Sequence, residues 1–87
     1  MEHELKIEEN YLLNLLNGMK KVEIRLNDRD YQKDDILSFA RKGTGKIIKF
    51  VVTHIHSGLG LKENYVALSV EYIKETDTQG ELMEDIG

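Results

Sequence analysis

The segment Lys21-Val-Glu-Ile-Arg-Leu-Asn27 alternates apolar and polar side chains without a break, directly after a stretch whose apolar spacing is helical. Alternation with a period of two belongs to an extended strand, with Val22, Ile24 and Leu26 on one side and Lys21, Glu23, Arg25 and Asn27 on the other. The second side is entirely polar. Upstream, Leu12, Leu13, Leu15 and Leu16 form a short apolar stripe within Asn10–Asn17, which predicts one helix over about Glu9–Asn17. Asn10 would be its N-cap and Gly18 its left-handed stop. Before the helix, Leu5 and Ile7 alternate with Glu4, Lys6 and Glu8, as a first strand would.

Further strands are predicted downstream at Ile36–Ala40, Ile47 to about His56, and Tyr65–Ile73. Turn chemistry separates them: Asn27-Asp-Arg-Asp30 and Gln32-Lys-Asp-Asp35 around Tyr31, the Lys42-Gly-Thr-Gly-Lys46 hairpin turn, and the Ser57-Gly-Leu-Gly60 loop. Five strands and one helix leave no room for repeated βαβ units. They predict an α+β fold, a small β-barrel of about five strands closed on itself, with the helix packed alongside. Closure would also remove the exposed edges.

At 87 residues the chain suits a single core, so the expected organisation is one domain over 1–74 and an acidic, mobile tail over 75–87. The absence of cysteine rules out disulfides, thiolate chemistry and cysteine-ligated zinc, and fits an intracellular, cytoplasmic protein. The acidic opening MEHELKIEEN has no apolar leader core, and no run reaches membrane-spanning length, so neither secretion nor membrane insertion is expected. The net charge of −4 is unevenly spread: residues 18–49 carry +4, while residues 75–87 carry −5. A basic middle in an acidic chain remains compatible with phosphate binding, because the local field decides.

The main site candidates lie in Gly18-Met-Lys20-Lys21-Val-Glu23-Ile-Arg25. Arginine offers a bidentate fork, lysine a point charge, and glutamate can orient the arginine or accept from an exocyclic amine. The plain alternative is a surface ion-pair ladder, which stabilises little. Arg29, a few residues on, could extend the cationic surface, although Asn27–Asp30 also reads as ordinary turn chemistry. Of the six aromatic residues, Tyr31 is the one expected to stack on a base, most of the others being expected in the core. Arg41, Lys42, Lys46 and Lys49 form a candidate basic rim.

The pattern Gly18-x-Lys20-x-x-Glu23-x-Arg25 resembles the GxKxxExR signature of the ASCH (activating signal cointegrator homology) domains, PUA-like small β-barrels. His3-Glu-Leu-Lys-Ile7, Glu23–Tyr31, Asp35-Ile-Leu37 and Tyr65-Val-Ala-Leu-Ser69 extend the likeness across residues 3–73, toward a short bacterial and phage-associated subfamily. The resemblance implies a cleft where Lys20, Glu23 and Arg25 meet the early helix, with RNA as the ligand. Two departures are visible. Relatives carry glycine where Asp34 stands, so this turn must accept a backbone conformation that aspartate adopts at some cost. Some ASCH relatives hydrolyse acetylated cytidine with the motif lysine and a hydroxyl residue, but this chain has Glu23 at the hydroxyl position, and a carboxylate replaces an activated alcohol poorly in acyl transfer.

No cofactor or metal is expected. His54 and His56 share a strand face but have no cysteine or nearby acid to complete a zinc site. Gly43-Thr-Gly-Lys46 lacks both the leading glycine and the hydroxyl of a phosphate loop. The expected function is therefore binding of RNA or a nucleotide-like ligand through Lys20, Lys21, Glu23, Arg25, Arg29 and Tyr31. The alternatives are a hydrolase of N-acylated nucleosides or RNA, using Lys20 as base and Glu23 as acid or orienter, and a protein-interaction module.

Overall fold

The computed structural model describes residues 1–19, 21–58 and 60–77. The elements run β1 (Glu2–Leu5), α1 (Glu9–Leu16), β2 (Val22–Leu26), β3 (Ile36–Arg41), β4 (Lys46–Ser57) and β5 (Tyr65–Asp77). The strands form one curled, half-barrel sheet in the order β1-β3-β4-β5-β2. β1 lies parallel to β3, and the other three pairs are antiparallel. The fold is thus a small α+β, barrel-like domain. Among the described residues closure through backbone pairing is not observed, because β1 and β2 remain the two edges of the sheet.

Helix α1 buries Leu12 and Leu15, with Leu16 packed against the core, a spacing of three and four residues that fits one face. Leu13 points away and is exposed. Glu8, not Asn10, occupies the N-cap position and makes no side-chain cap bond, while Glu9 in the first turn favours the positive end of the helix dipole. The stop at Gly18 is as expected: its φ of +78° is a conformation that glycine adopts without steric cost.

The apolar core is carried by β3, β4 and β5, where Leu37, Phe39, Ile48, Phe50 and Leu68 are almost wholly excluded from water. Phe39 and Phe50 meet edge to face, with ring centroids 6.0 Å apart. Strand β5 runs to Asp77, four residues beyond the expected end, because Lys74, Glu75, Thr76 and Asp77 pair with Lys49, Ile48, Ile47 and Lys46 of β4. The first residues assigned to the acidic tail therefore belong to the sheet. The remainder of that tail, 78–87, lies outside the described residues. No helix among the described residues is long and apolar enough to cross a membrane.

Between β2 and β3 the turn is organised by its own polar side chains. The Asn27 Oδ1 accepts a hydrogen bond from the Tyr31 N–H at 3.2 Å, and Asp34 adopts a φ of +74° while its N–H donates to the Val52 carbonyl at 2.8 Å. The left-handed backbone inferred from the aspartate in place of glycine is present. Asp35 anchors the end of the turn. Its Oδ2 accepts from the Gln32 N–H at 2.9 Å and lies 2.8 Å from the His3 Nε2, and its Oδ1 contacts the Met1 amino group at 3.1 Å. Burial pushes the Asp35 carboxyl up, but these hydrogen bonds outweigh it and hold the group below the usual aspartate range.

Candidate functional site

Among the described residues strand β2 pairs with β5 on one side only. The Lys21 carbonyl accepts from the Val70 N–H, and the Asn27 N–H donates to the Asn64 carbonyl. Directly paired residues share a face of a sheet, so the pairing of Glu23 with Leu68 and of Arg25 with Val66 turns both charged residues toward the core side. Glu23 is 7% exposed, and Arg25 is half-buried. Their apolar neighbours face solvent instead: Val22, Ile24 and Leu26 are 37%, 55% and 47% exposed. The polar row is on the concave side of the sheet.

Arg25 does more than pair with Glu23. Its Nη1 donates to the Glu23 Oε2 at 3.3 Å, and its Nη1 and Nη2 both donate to the Lys6 carbonyl, at 3.3 and 3.1 Å. Lys6 follows directly on β1, so the guanidinium spans the opening between the two edge strands. Glu23 steadies this bridge from within the same strand.

Two hollows flank the bridge. The larger, about 520 Å³, lies between Lys6, Ile7, Glu8 and Tyr11 on one side and Glu23–Leu26 with Tyr65 on the other. The smaller, about 350 Å³, is lined by Glu4, Leu5, Lys6, Arg25, Leu26, Asp28, Arg29 and Tyr31. Lys6 and Arg29 are exposed at these hollows, and no ion pair engages either one among the described residues. Lys6 and the tyrosines of the larger hollow did not stand out in the sequence. The only available signal was the place of Tyr11 beside Leu12 on a short helix, which puts the ring off the buried stripe.

The remaining sequence candidates divide. Lys20 lies outside the described residues. Lys21 is exposed at the start of β2 and lines neither hollow. Tyr31 is only 3% exposed, and its ring meets His3 edge to face with centroids 4.8 Å apart, so it presents no open face for a base. Burial raises its phenol, an effect that the nearby Arg25 partly offsets. The stacking role expected of Tyr31 is thereby corrected: the turn wraps the ring into the core despite its charged neighbours.

The basic rim is largely neutralised. Arg41 binds Glu9 through its Nε and Nη2 at 2.8 and 2.6 Å, and Lys46 and Lys49 lie 3.3 Å from Glu75 and Glu2. A hydrogen bond from the Ser38 hydroxyl and then the Lys49 ammonium lower the Glu2 carboxyl. His54 and His56 stack in parallel, with centroids 6.2 Å apart, on the exposed side of β4. No group of three or more metal-ligating side chains occurs among the described residues.

A family model described as a domain of unknown function, DUF3850, matches residues 2–70. The chain belongs to the DUF3850 family. That match spans every element that builds the cleft. The fold is also similar to the crystal structure of a hypothetical protein, PH0355, with a TM-score of 0.62 at 22% sequence identity, over 84% of this chain and 100% of the other. At that identity the likeness concerns the fold alone. No curated protein matches the chain.

Proposed function

We propose that the cleft beside β2 binds a phosphate-bearing ligand, RNA or a nucleotide-like molecule, without carrying out chemistry on it. The observation behind this reading is the inward placement of Glu23 and Arg25 at a seam where Lys6 and Arg29 stand without carboxylate partners among the described residues. Cations beside a hollow retain their field for an incoming polyanion, whereas the paired cations of the rim have spent most of theirs. The likeness of Gly18–Arg25 to the ASCH motif of PUA-like barrels supports the same assignment. In a titration of short single-stranded RNA at low salt, Lys6→Ala and Arg29→Ala should each weaken binding and flatten its salt dependence by about one unit of slope. Binding that is undetectable, or indifferent to salt, would overturn the proposal.

A second reading, docking of a protein partner, is favoured by the apolar row Val22, Ile24 and Leu26 on the outer face. The hydrolytic alternative has less behind it. Glu23, its acid or orienter, is already engaged by Arg25. Turnover of acetylated cytidine that Lys20→Ala abolishes would establish it.

A further inference from the structure

The two hollows share Lys6, Arg25 and Leu26, so they meet across the guanidinium bridge, but to either side of it their chemistry differs. The larger, about 520 Å³, adds the apolar surface of Ile7 and Ile24 and falls within the range of small-molecule sites. The charged groups that it adds, Glu8 and Glu23, are both acidic and repel a phosphate. The smaller, about 350 Å³, adds Arg29, so that Lys6, Arg25 and Arg29 outnumber Glu4 and Asp28 around one opening. Arg29 is held apart from the acids beside it in the chain. The Asp30 carboxylate is taken by the Gln32 side-chain amide, whose Nε2 donates to the Asp30 Oδ1 at 3.2 Å and to the Asp30 carbonyl at 3.3 Å. Among the described residues no carboxylate comes within ion-pair distance of Arg29 or Lys6. Arg25 commits Nη1 and Nη2 to Glu23 and the Lys6 carbonyl, and those bonds leave its Nε–H unused.

We propose that the ligand carries a terminal phosphate monoester, seated in the smaller hollow among Arg29, Lys6 and Arg25, with its nucleoside across the bridge in the larger hollow. This rests on the reading of the cleft as a phosphate-binding site, and it names both the class of phosphate and its place. A monoester carries about −1.5 to −2 at neutral pH and presents three terminal oxygens. An internal diester carries about −1 and presents two. Two planar forks and one ammonium match the first, because each guanidinium can grip a pair of oxygens while the lysine adds a point charge. A diester in the same place would leave a cation without charge to neutralise. The monoester can come from a free nucleotide or from the phosphorylated end of an RNA strand, and the chemistry at Arg29 is common to both.

The test titrates wild type, Arg29→Ala, Arg29→Lys and Lys6→Ala with adenosine 5′-monophosphate, adenosine 3′,5′-cyclic monophosphate, and one single-stranded RNA oligomer prepared with a 5′-phosphate and with a 5′-hydroxyl. Arg29 is exposed on a turn, so its replacement leaves the fold intact. Wild type should bind the monoester form of at least one pair, the mononucleotides or the oligomers, about tenfold tighter than its partner. Arg29→Ala should abolish that preference, and Arg29→Lys should keep about threefold of it, because an ammonium supplies the charge without the fork. A preference among the mononucleotides identifies the free nucleotide as a source, and one confined to the oligomers identifies the strand end. A preference that survives Arg29→Ala undiminished overturns the proposal. If no pair is distinguished and Lys6→Ala weakens both oligomers equally, the monoester subsite is overturned while the reading of the cleft stands. If no probe binds the wild type, both fall.

Discussion

On the inner face of β2, Glu23 is more deeply buried than any apolar residue of that strand, whereas Val22, Ile24 and Leu26 stand well exposed on the outer face. The adjacent strand β5 does the reverse: Val66, Leu68 and Val70 point into the core. The register between them accounts for the difference. A slip of one residue would bring the β2 apolar row inside and put both charged residues in water. The observed pairing instead sets Glu23 beside Leu68 and Arg25 beside Val66. It is tolerated because the two charges satisfy one another and the guanidinium also meets the Lys6 carbonyl. The inward polar row of an edge strand is therefore satisfied by its own partners rather than a fault in the core.

Four measurements would break or sharpen this contrast. The largest effect should come from a buried carboxylate outside β2 that serves as a yardstick. Asp35→Ala strips partners from His3 and the Gln32 N–H and should cost about 3 kcal/mol in urea denaturation. Because the folded-state value of Asp35 is depressed, its contribution to stability is complete above the ordinary aspartate range, near pH 4, and is lost as pH falls through the lower folded value. The variant should accordingly flatten the acid limb of the stability curve, and an unchanged limb would remove Asp35 as its source.

Next, Glu23→Ala should cost about 2 kcal/mol, since it leaves Arg25 without its in-strand partner beside the core. A loss below about 0.5 kcal/mol, the level of ordinary surface changes, would make the inner face equivalent to the outer. Arg25→Lys keeps the charge but not the fork, and should cost about 1 kcal/mol while speeding amide exchange in β1 more than in β3. Equal exchange in both strands would argue that the bridge does not hold the seam. The smallest effect belongs to Ile24→Thr on the outer face, which should stay within about 0.5 kcal/mol. A larger loss would show that this face is covered in solution.

Much of the architecture could be read from the residues. The left-handed turn at Asp34 is implied by the resemblance to relatives with glycine there, while the alternation of Lys21–Asn27 and of Val66–Val70, the leucine spacing of α1 and the stop at Gly18 follow from local chemistry. The orientation of β2 does not. A period of two announces two faces without saying which is inside, and only pairing with the more strongly apolar β5 decides. Tyr31 was misread for a related reason. Its neighbours Asp30 and Gln32 are polar and exposed, yet the Asn27 side chain pulls the Tyr31 backbone into a turn that tucks the ring against His3. Lys74–Asp77 has little strand propensity and joins β5 only because β4 offers it a partner strand. Lys6 and Tyr11 entered the site through folding alone, one following β1 and the other riding on α1.

The guanidinium of Arg25 is a latch, and on the proposed reading it would serve a second task. The nitrogens that would greet an anion are those that fasten one margin of the sheet to the other across Lys6. A ligand that turned them toward itself would unbutton the margin, so the tightest guest is one that engages Arg25 while leaving the latch shut.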